Sequence, residues 1–489
     1  MFSFDPAKIL DQFVYHPESP LLFSSGLFLF LFLGFIAVYR ALYNQEHWRI
    51  LWVTFFSLYF YYKCAGIYWV LHVVIVVVDY HLAIWMEKAP SKRGKIGLLV
   101  VSLIVNLGML AYFKYTNYFA GLWNTFTNGN LGPWDIFLPA GISFFTFQSL
   151  SYTIDVYRGQ LKALTNIWDY AFFVTFFPQM VAGPIVRAAD FLPQINRVPI
   201  VSREEFGRGV FLICTGLFKK AVISDYISLN FVDRVFDSPT QYSGLENLFG
   251  IYGYALQIYC DFSGYSDMAI GLALLMGFQF PINFNSPYQS LSITEFWRRW
   301  HISLSTWLRD YLYISLGGNR KGRWRTYLNL MLTMLLGGLW HGAATRFILW
   351  GALHGLALAV ERWWKEIFPA KPSLWRRLVG GIWTFHFVCF CWIFFRAGDM
   401  NTAWAMLGQI VYAFNPQILP EFVSGYGAVL FWMALGYALH FTPPAWERTV
   451  EKSVTRLPLP AKAMLIVLIA TVVMQVKSSD VQPFIYFQF

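Results

Sequence analysis

The chain has 489 residues, of which 57% are hydrophobic, 20% aromatic and only 13% charged, with a mean hydropathy of +0.47. Soluble globular proteins carry about 25% charged residues, so this composition excludes an ordinary soluble fold and also a disordered or collagen-like chain. The net charge of +10 does not indicate a nucleic-acid partner, because membrane proteins collect Lys and Arg in their cytoplasmic loops. The sequence therefore predicts an integral membrane protein.

The apolar segments predict an all-α, polytopic membrane fold. Residues 1–20 lack the basic start and the short apolar core of a cleaved signal peptide, so none is expected. A helix needs about 20 mostly apolar residues to cross a bilayer. Stretches without charge that approach this length lie at residues 21–39, 50–62, 64–78, 96–113, 170–186, 248–260, 327–345, 347–360, 378–395, 422–446 and 463–476. With shorter or interrupted stretches between them, they predict about 11–12 transmembrane helices plus broken or re-entrant helices around a central cavity.

Basic clusters set the predicted orientation. They lie at residues 87–95, 319–325, 361–377 and 448–462, and all should face the cytoplasm. The N-terminus then lies outside. We expect one membrane-embedded domain, residues 1–489, in which residues 463–489 form the last transmembrane helix and an extracytoplasmic aromatic tail.

Two histidines within the densest run of ionisable residues are the candidates for catalysis. His341 lies in an apolar stretch flanked by glycines, which let another backbone or a substrate approach the imidazole. His301 lies 40 residues earlier in an amphipathic stretch. Ionisable groups in apolar membrane sequence are costly and usually functional, and imidazole is the usual general base near neutral pH. If both histidines face one cavity, we expect them to act in removing a proton from a hydroxyl. The alternative is that each is a hydrogen-bonded structural histidine.

Other kinds of site find little support in the sequence. The histidines lack the close spacing of metal ligands, so no metal site is expected. We find no phosphate-binding loop, nucleophile elbow or dinucleotide fingerprint. The five cysteines lie in or beside apolar runs and are interpreted as packing residues. Of the remaining histidines, including His354 and His440, most are interpreted as structural.

Six motifs resemble the membrane-bound O-acyltransferase family, and within it the bacterial branch of alginate O-acetyltransferase membrane subunits. In chain order they are LPAGISFFTFQSLSYTIDVYRG at 138–159, FFPQMVAGPIVR at 176–187, YCDFSGYSDMAIG at 259–271, INFNSPY at 282–288, EFWRRWHISLSTWLRDYLYI at 295–314 and GLWHGA at 338–343. The resemblance covers most of the chain. It implies that His341 matches the catalytic histidine of the family and His301 its second active-site histidine.

The resemblance also implies the architecture and the reaction. Tilted helices surround a cytoplasmic funnel that admits an acyl thioester, acetyl-CoA or an acyl-carrier thioester, and a tunnel leads to the other side. The acetyl group would reach a hydroxyl of an extracytoplasmic, alginate-like polysaccharide. A separate SGNH-type acetyltransferase or acetylesterase-like partner would complete the modification outside. No cofactor would be bound permanently, and the expected location is the bacterial inner membrane, as a multi-pass protein among lipids.

The C-terminus, SSDVQPFIYFQF, carries a further candidate residue. It resembles the tail of small partner proteins in the related D-alanyl transfer system, which implies that Tyr486 is a transient acyl carrier. A phenol with a pKa of about 10 would need a base such as His341 to become a nucleophile. The alternative is an aromatic anchor at the membrane interface.

Basic and acidic residues near the motifs receive weaker assignments. Arg298, Arg299, Arg320 and Lys321 are candidates for contacts with the phosphates of CoA, or else they only set the topology. Asp261 and Asp267 are expected to orient loops or to pair with arginine.

Other functions stay open from sequence alone. Within the acyltransferase class they are peptidoglycan O-acetylation and D-alanyl transfer to teichoic acid from a carrier protein. Outside it, composition and broken helices also permit a transporter, although no two-half repeat is detectable.

Overall fold

The computed structural model describes residues 11–368 and 373–476, with side chains as far as Val473. Across these two ranges the secondary structure is helical and contains no strand. Helices satisfy their backbone hydrogen bonds internally, which is what a segment in hydrocarbon requires. The prediction of an all-α fold is confirmed.

In chain order the first helices are α1 (Gly26–Ala41), α2 (Glu46–Ala65), α3 (Trp69–Lys88), α4 (Lys92–Leu110), α5 (Thr116–Thr127), α6 (Ile142–Tyr157), α7 (Ile167–Thr175), α8 (Phe177–Met180), α9 (Ala188–Ile195), α10 (Arg203–Leu217), α11 (Asp225–Ile227) and α12 (Asp233–Asp237). The later helices are α13 (Gly244–Leu275), α14 (Ile293–Arg299), α15 (Ile302–Trp307), α16 (Arg323–His341), α17 (Thr345–Ile367), α18 (Leu374–Arg396), α19 (Met400–Tyr412), α20 (Leu419–Gly425), α21 (Gly427–His440), α22 (Pro444–Arg456) and α23 (Leu459–Val476). Four π-helical segments interrupt this series, at Ala111–Tyr115, Phe218–Ser224, Ser228–Val232 and Leu308–Tyr313. Short 3₁₀ turns lie at Gly66–Tyr68, Pro239–Gln241, Pro287–Gln289 and Pro416–Ile418.

Fewer helices than predicted have the length and hydropathy of a membrane span. Within the described ranges three helical stretches qualify: Glu46–Lys88, Lys92–Thr127 and Leu374–Arg396. A fourth is possible if Pro416–Gly425 and Gly427–His440, which meet at 94°, form one broken span. Some apolar runs are divided between shorter helices, in agreement with the broken helices that the sequence predicts. The run at 170–186, for example, is divided between α7 and the four-residue α8.

The chain divides into two compact units. The first comprises the described residues up to Ile213 together with Met268–Pro281. The second comprises Cys214–Asp267 and the described residues from Ile282 onward. The prediction of one membrane-embedded domain stays a prediction. The two candidate histidines, His301 and His341, both belong to the second unit.

Side-chain caps start several of the helices. Ser25, Ser91 and Ser373 each precede a helix, and each hydroxyl accepts a hydrogen bond from the backbone N–H three residues later. Ser292 caps α14 in the same way, and Asp399 caps α19. Such caps satisfy N–H groups that have no partner within the helix, and each typically contributes about 1 kcal/mol.

In the first unit, a buried carboxylate accepts hydrogen bonds from three side chains. Asp79 on α3 accepts hydrogen bonds from the hydroxyl of Ser102 (2.7 Å), the amide of Asn106 (2.8 Å) and the hydroxyl of Ser149 (2.5 Å). All four residues are buried. The network joins α3, α4 and α6 in the interior of this unit, where an unpaired polar group is costly.

Replacing Asp79 by Val should destabilise the protein. The substitution removes the acceptor that three buried side chains share, at about 1 kcal/mol for each lost bond. We expect a melting temperature in detergent lowered by several degrees. Asp135→Val, at an exposed position, is the matched control and should leave it unchanged. Equal melting of the two variants would contradict the structural role of Asp79.

Candidate active site

Close packing of α16 against α17 creates the site around His341. A Cβ on Gly338 would lie 2.2 Å from the carbonyl oxygen of Phe347, and one on Gly351 would lie 2.3 Å from that of Met334. A Cβ on Gly342 would meet the ring of Phe347 at 2.0 Å. Glycine is therefore required where the two helices cross. The sequence predicts that the small neighbours of His341 let another backbone approach, and in the structure that backbone is α17.

His341 is the last residue of α16 and is buried, with 2% of its surface exposed. Its ring is surrounded by aromatic rings at right angles or nearly so. The centroid distances are 4.9 Å to Trp340, 5.1 Å to Trp350 and 5.3 Å to Phe395. These contacts hold the imidazole in an apolar cage of the kind that suits a positioned base.

His301 is held in an unusual backbone conformation. Its φ angle of 43° lies in the left-handed region, which non-glycine residues adopt rarely and at a cost of about 1–2 kcal/mol. The residue precedes α15 and is fully buried. Strained conformations of this kind persist where the surrounding structure holds them, frequently at functional sites.

Asn283 provides that support and orients the imidazole of His301. The side-chain oxygen of Asn283 accepts hydrogen bonds from the backbone N–H (3.2 Å) and hydroxyl (2.9 Å) of Ser303. The same oxygen lies 3.2 Å from Nδ1 of His301. Because an amide oxygen only accepts, Nδ1 carries the proton in the neutral ring and the lone pair lies on Nε2. Nε2 of His301 is therefore its basic nitrogen.

Trp340 brings the two histidines into one cluster. Its ring centroid lies 6.1 Å from that of His301 and 4.9 Å from that of His341. Phe262 packs on the other side of His301 at 4.6 Å. Two imidazoles that were 40 residues apart in sequence thus share a buried aromatic cluster. The structure places them together; their catalytic roles stay a prediction.

Two more residues, Trp350 and His354, belong to this cluster. From the sequence, His354 is interpreted as structural and Trp350 is not singled out. Trp350 lies beside His341, and its ring is 4.8 Å from that of His354. Nδ1 of His354 accepts a hydrogen bond from the indole N–H of Trp297 at 3.3 Å. The sequence signal that could have found them is a Trp and a His four residues apart, on one helix face, just after the GLWHGA motif.

The acidic residues of the YCDFSGYSDMAIG motif pair with lysine, which corrects the expectation of arginine partners. Asp261 lies 2.5 Å from Nζ of Lys220, and Asp267 lies 2.7 Å from Nζ of Lys219. Lys220 also bonds Asp225 at 2.7 Å. The pair of Lys220 and Asp261 is buried, so removing one partner would leave an uncompensated charge between α13 and the segment around residue 220.

The four candidate CoA contacts lie in two separate places, the short helix α14 and the turn before α16. Arg299 is bound to Glu295 at 2.8 Å, whereas Arg298 is exposed on the same short helix. Arg320 and Lys321 are exposed in the turn before α16. An exposed cation can bind an anionic ligand, and it can equally serve only to set the membrane topology. The assignment to CoA phosphates therefore stays a prediction.

The remaining predictions concern Tyr486, metal binding and the cysteines. Tyr486 lies outside the described residues. Within 11–368 and 373–476, no three His, Cys, Asp or Glu side chains are grouped to hold a metal ion. All five cysteines are buried and unbridged, which agrees with a packing role.

Comparison with known proteins places these residues in a family. The sequence model of the MBOAT, membrane-bound O-acyltransferase family, matches residues 95–398, a range that contains both histidines. A protein named probable alginate O-acetylase AlgI from Pseudomonas aeruginosa is 44% identical over 408 residues, covering 82% of this chain and 76% of that protein. Its namesake from Pseudomonas putida is 37% identical over 503 residues, covering 96% and 100%. A peptidoglycan O-acetyltransferase from Helicobacter pylori is 37% identical over 421 residues, covering 80% of each chain.

These similarities confirm the resemblance seen in the motifs and favour an acyltransferase over a transporter. They extend over most of the chain rather than over one motif. The all-helical architecture, the apolar helices and the buried pair of histidines agree with them. The chain is a membrane protein and belongs to the membrane-bound O-acyltransferase family.

Proposed function

We propose that this protein is a multi-pass enzyme of the bacterial cytoplasmic membrane that transfers an acetyl group from a cytoplasmic thioester to an extracytoplasmic polysaccharide of the alginate type. The observation that carries the proposal is the buried cluster of His341 and His301 around Trp340. The proteins named alginate O-acetylase, at 37% and 44% identity, support the choice of acceptor.

The position of His341 along α16 explains why a path through the membrane is needed. The helix begins at Arg323, in a basic cluster predicted to be cytoplasmic, and ends at His341. Nineteen residues of helix rise about 28 Å, so His341 lies about that far from the Arg323 end of the helix. The base thus lies far from the cytoplasmic end of its helix. A bound CoA would remain at the cytoplasmic side while its acyl group reaches the histidine.

The chemistry follows from a neutral imidazole beside an acceptor hydroxyl. His341 takes the hydroxyl proton as the oxygen attacks the thioester carbonyl, and a C–O bond forms. The tetrahedral intermediate then collapses, the C–S bond breaks, and the imidazolium returns the proton to the leaving thiolate. His301, held in place by Asn283, would position the acceptor group beside His341.

Tyr486 is the first acceptor in this proposal, and an outer partner of the SGNH type passes the acetyl group on to the polysaccharide. A phenol is a suitable carrier because its acyl ester is more reactive than an alkyl ester. Tyr486→Phe keeps the ring and removes the nucleophile. We expect this variant to lose polysaccharide acetylation while protein level and membrane insertion stay normal. Mass spectrometry of the wild-type C-terminal peptide, with donor present and acceptor absent, should show an acetyl adduct.

The control for this prediction is an exposed tyrosine that the mechanism does not use. Tyr412 at the end of α19 is 90% exposed in this monomer. Tyr412→Phe should leave acetylation unchanged. Normal acetylation in Tyr486→Phe would reduce the tail to an anchor and leave direct transfer at His341.

A second candidate function is O-acetylation of peptidoglycan, because a protein of that name is 37% identical over 80% of this chain. D-alanyl transfer from a carrier protein to teichoic acid is the third possibility, and it differs in its donor. Presenting acetyl-CoA and a D-alanyl carrier thioester to the same preparation separates these donors. Offering alginate and peptidoglycan fragments separates the acceptors.

The direct test of the proposal is thioester consumption by the purified protein. The protein in detergent would be incubated with acetyl-CoA, and free CoA thiol would be measured with a disulfide reagent. We expect release above that of a heat-inactivated sample, further increased by the cognate acceptor. A rate equal to the heat-inactivated control with every thioester offered would overturn the proposed function.

A further inference from the structure

Trp350, whose ring packs against the proposed base, and its neighbour His354 each carry a buried ring N–H group. Trp350 and His354 are four residues apart on α17 and therefore lie on the same helix face, one turn apart. Their exposed fractions are 1% and 0%. Nε1 of Trp350 and Nε2 of His354 have no hydrogen-bond partner among the residues that the structure describes.

The protonation of His354 follows from its other nitrogen. Nδ1 of His354 lies 3.3 Å from Nε1 of Trp297, and an indole nitrogen only donates. Nδ1 is therefore an acceptor, the ring is neutral, and the proton is on Nε2. Trp350 and His354 consequently each present one N–H donor, and neither N–H finds an acceptor within the described part of the chain.

The position of these donors relates them to the reaction. The ring of Trp350 lies 5.1 Å from His341 and 4.8 Å from His354. A buried donor without an acceptor is destabilising, because it has given up its hydrogen bonds to water. These two donors lie one turn apart, and one of them is on the ring that packs against the candidate base; a ligand oxygen that binds there during turnover would complete both.

We propose that the indole N–H of Trp350 and the Nε2–H of His354 together bind the carbonyl oxygen of the acyl thioester and stabilise the oxyanion that develops on it. This inference rests on the proposed function, because it needs an acyl group at His341. It adds two catalytic residues to that site and gives Trp297 a positioning role, since its hydrogen bond keeps the proton of His354 on Nε2.

The step is balanced without a further reactant. The acceptor oxygen attacks the carbonyl carbon, and the π electrons of the C=O bond move to the oxygen, where the two N–H groups meet the negative charge. Collapse reforms the C=O bond and expels the thiolate, which takes the proton held by His341. Both donors keep their own protons throughout, so they act by preorganised hydrogen bonding.

The test uses variants that remove one donor and retain most of the packing. His354→Leu removes the N–H, whereas His354→Gln keeps an amide N–H near the same place. Trp350→Phe removes the indole N–H and keeps a ring. Loss of one oxyanion donor typically lowers kcat by about 10²–10³-fold. We expect losses of that size in His354→Leu and Trp350→Phe, an unchanged KM for the thioester, and partial recovery in His354→Gln.

Matched controls lie on the exposed side of α18. His386 and Trp383 are exposed, and Trp383 has 66% of its surface accessible. His386→Leu and Trp383→Phe repeat the two substitutions outside the cluster and should keep wild-type kcat. Melting temperature in detergent, measured for every variant, separates lost chemistry from lost folding.

The outcome distinguishes this inference from the proposed function. Wild-type kcat in a well-folded His354→Leu, together with a loss in His341→Gln, overturns the donor pair and leaves the acyltransferase intact. Equal losses in His354→Leu and His354→Gln, accompanied by equal drops in melting temperature, also overturn it, because they indicate packing. Absence of thioester consumption by the wild-type protein removes the proposed function itself.

Discussion

Replacing His341 by Gln should reduce acetyl transfer by at least about 10²-fold, since general base catalysis is worth about 10²–10⁴-fold. Gln fills a similar volume within the cage of Trp340, Trp350 and Phe395, so the fold should persist. His341→Ala should lose activity to the same depth. The measurement is the initial rate of CoA release with acceptor present, at matched protein concentration and with melting temperature as the check on folding.

The matched control for this substitution is His386→Gln. His386 is exposed on α18, and its nitrogens contact the hydroxyl of Tyr252 and the carbonyl of Ile382. It should keep wild-type activity. If His341→Gln retains more than about a tenth of the wild-type rate, general base catalysis by this residue is ruled out.

His301 is expected to show a loss of similar depth but of another kind. Its left-handed backbone suggests the cleanest variant, because Asn tolerates positive φ better than most residues. His301→Asn therefore removes the imidazole without forcing the chain to rearrange. We expect transfer to the acceptor to fall by about 10²-fold, while slow hydrolysis of the thioester continues.

Comparing the two rates decides the role of His301. A residue that orients the acceptor affects transfer and spares hydrolysis by water. Equal loss of both rates would assign His301 a direct part at the carbonyl. Unchanged transfer in His301→Asn would place it outside the site. Asn283→Ala should resemble His301→Asn in direction, because it removes the acceptor that keeps the proton on Nδ1.

The sequence was informative where chemistry is encoded in short motifs. The glycines and the histidine of GLWHGA predicted a close helix crossing, and Gly338 and Gly342 lie at such a crossing in the structure. The WRRWHISLS run predicted His301 as the second residue. Their meeting through Trp340 depends on tertiary packing, which no local pattern specifies.

Other features could not be predicted because they depend on the backbone path or on distant partners. The positive φ of His301 follows from Asn283, which lies 18 residues earlier and bonds the start of α15. Lys219 and Lys220 pair with Asp267 and Asp261, 48 and 41 residues away, and helical periodicity carries no signal for such a pairing. Hydropathy also does not reveal where an apolar run bends or changes to a π-helix, as the segments Phe218–Ser224 and Ser228–Val232 do.

The central claim is that acetyl groups cross the membrane through chemistry at His341. Its most direct test uses inside-out membrane vesicles that contain the protein and its outer-side partners. Acetyl-CoA labelled in the acetyl group is added outside, and label on macromolecules is measured in the washed, sealed lumen. We predict lumenal label in vesicles with the wild-type protein and background label with His341→Gln. Equal lumenal label with both proteins would contradict the account.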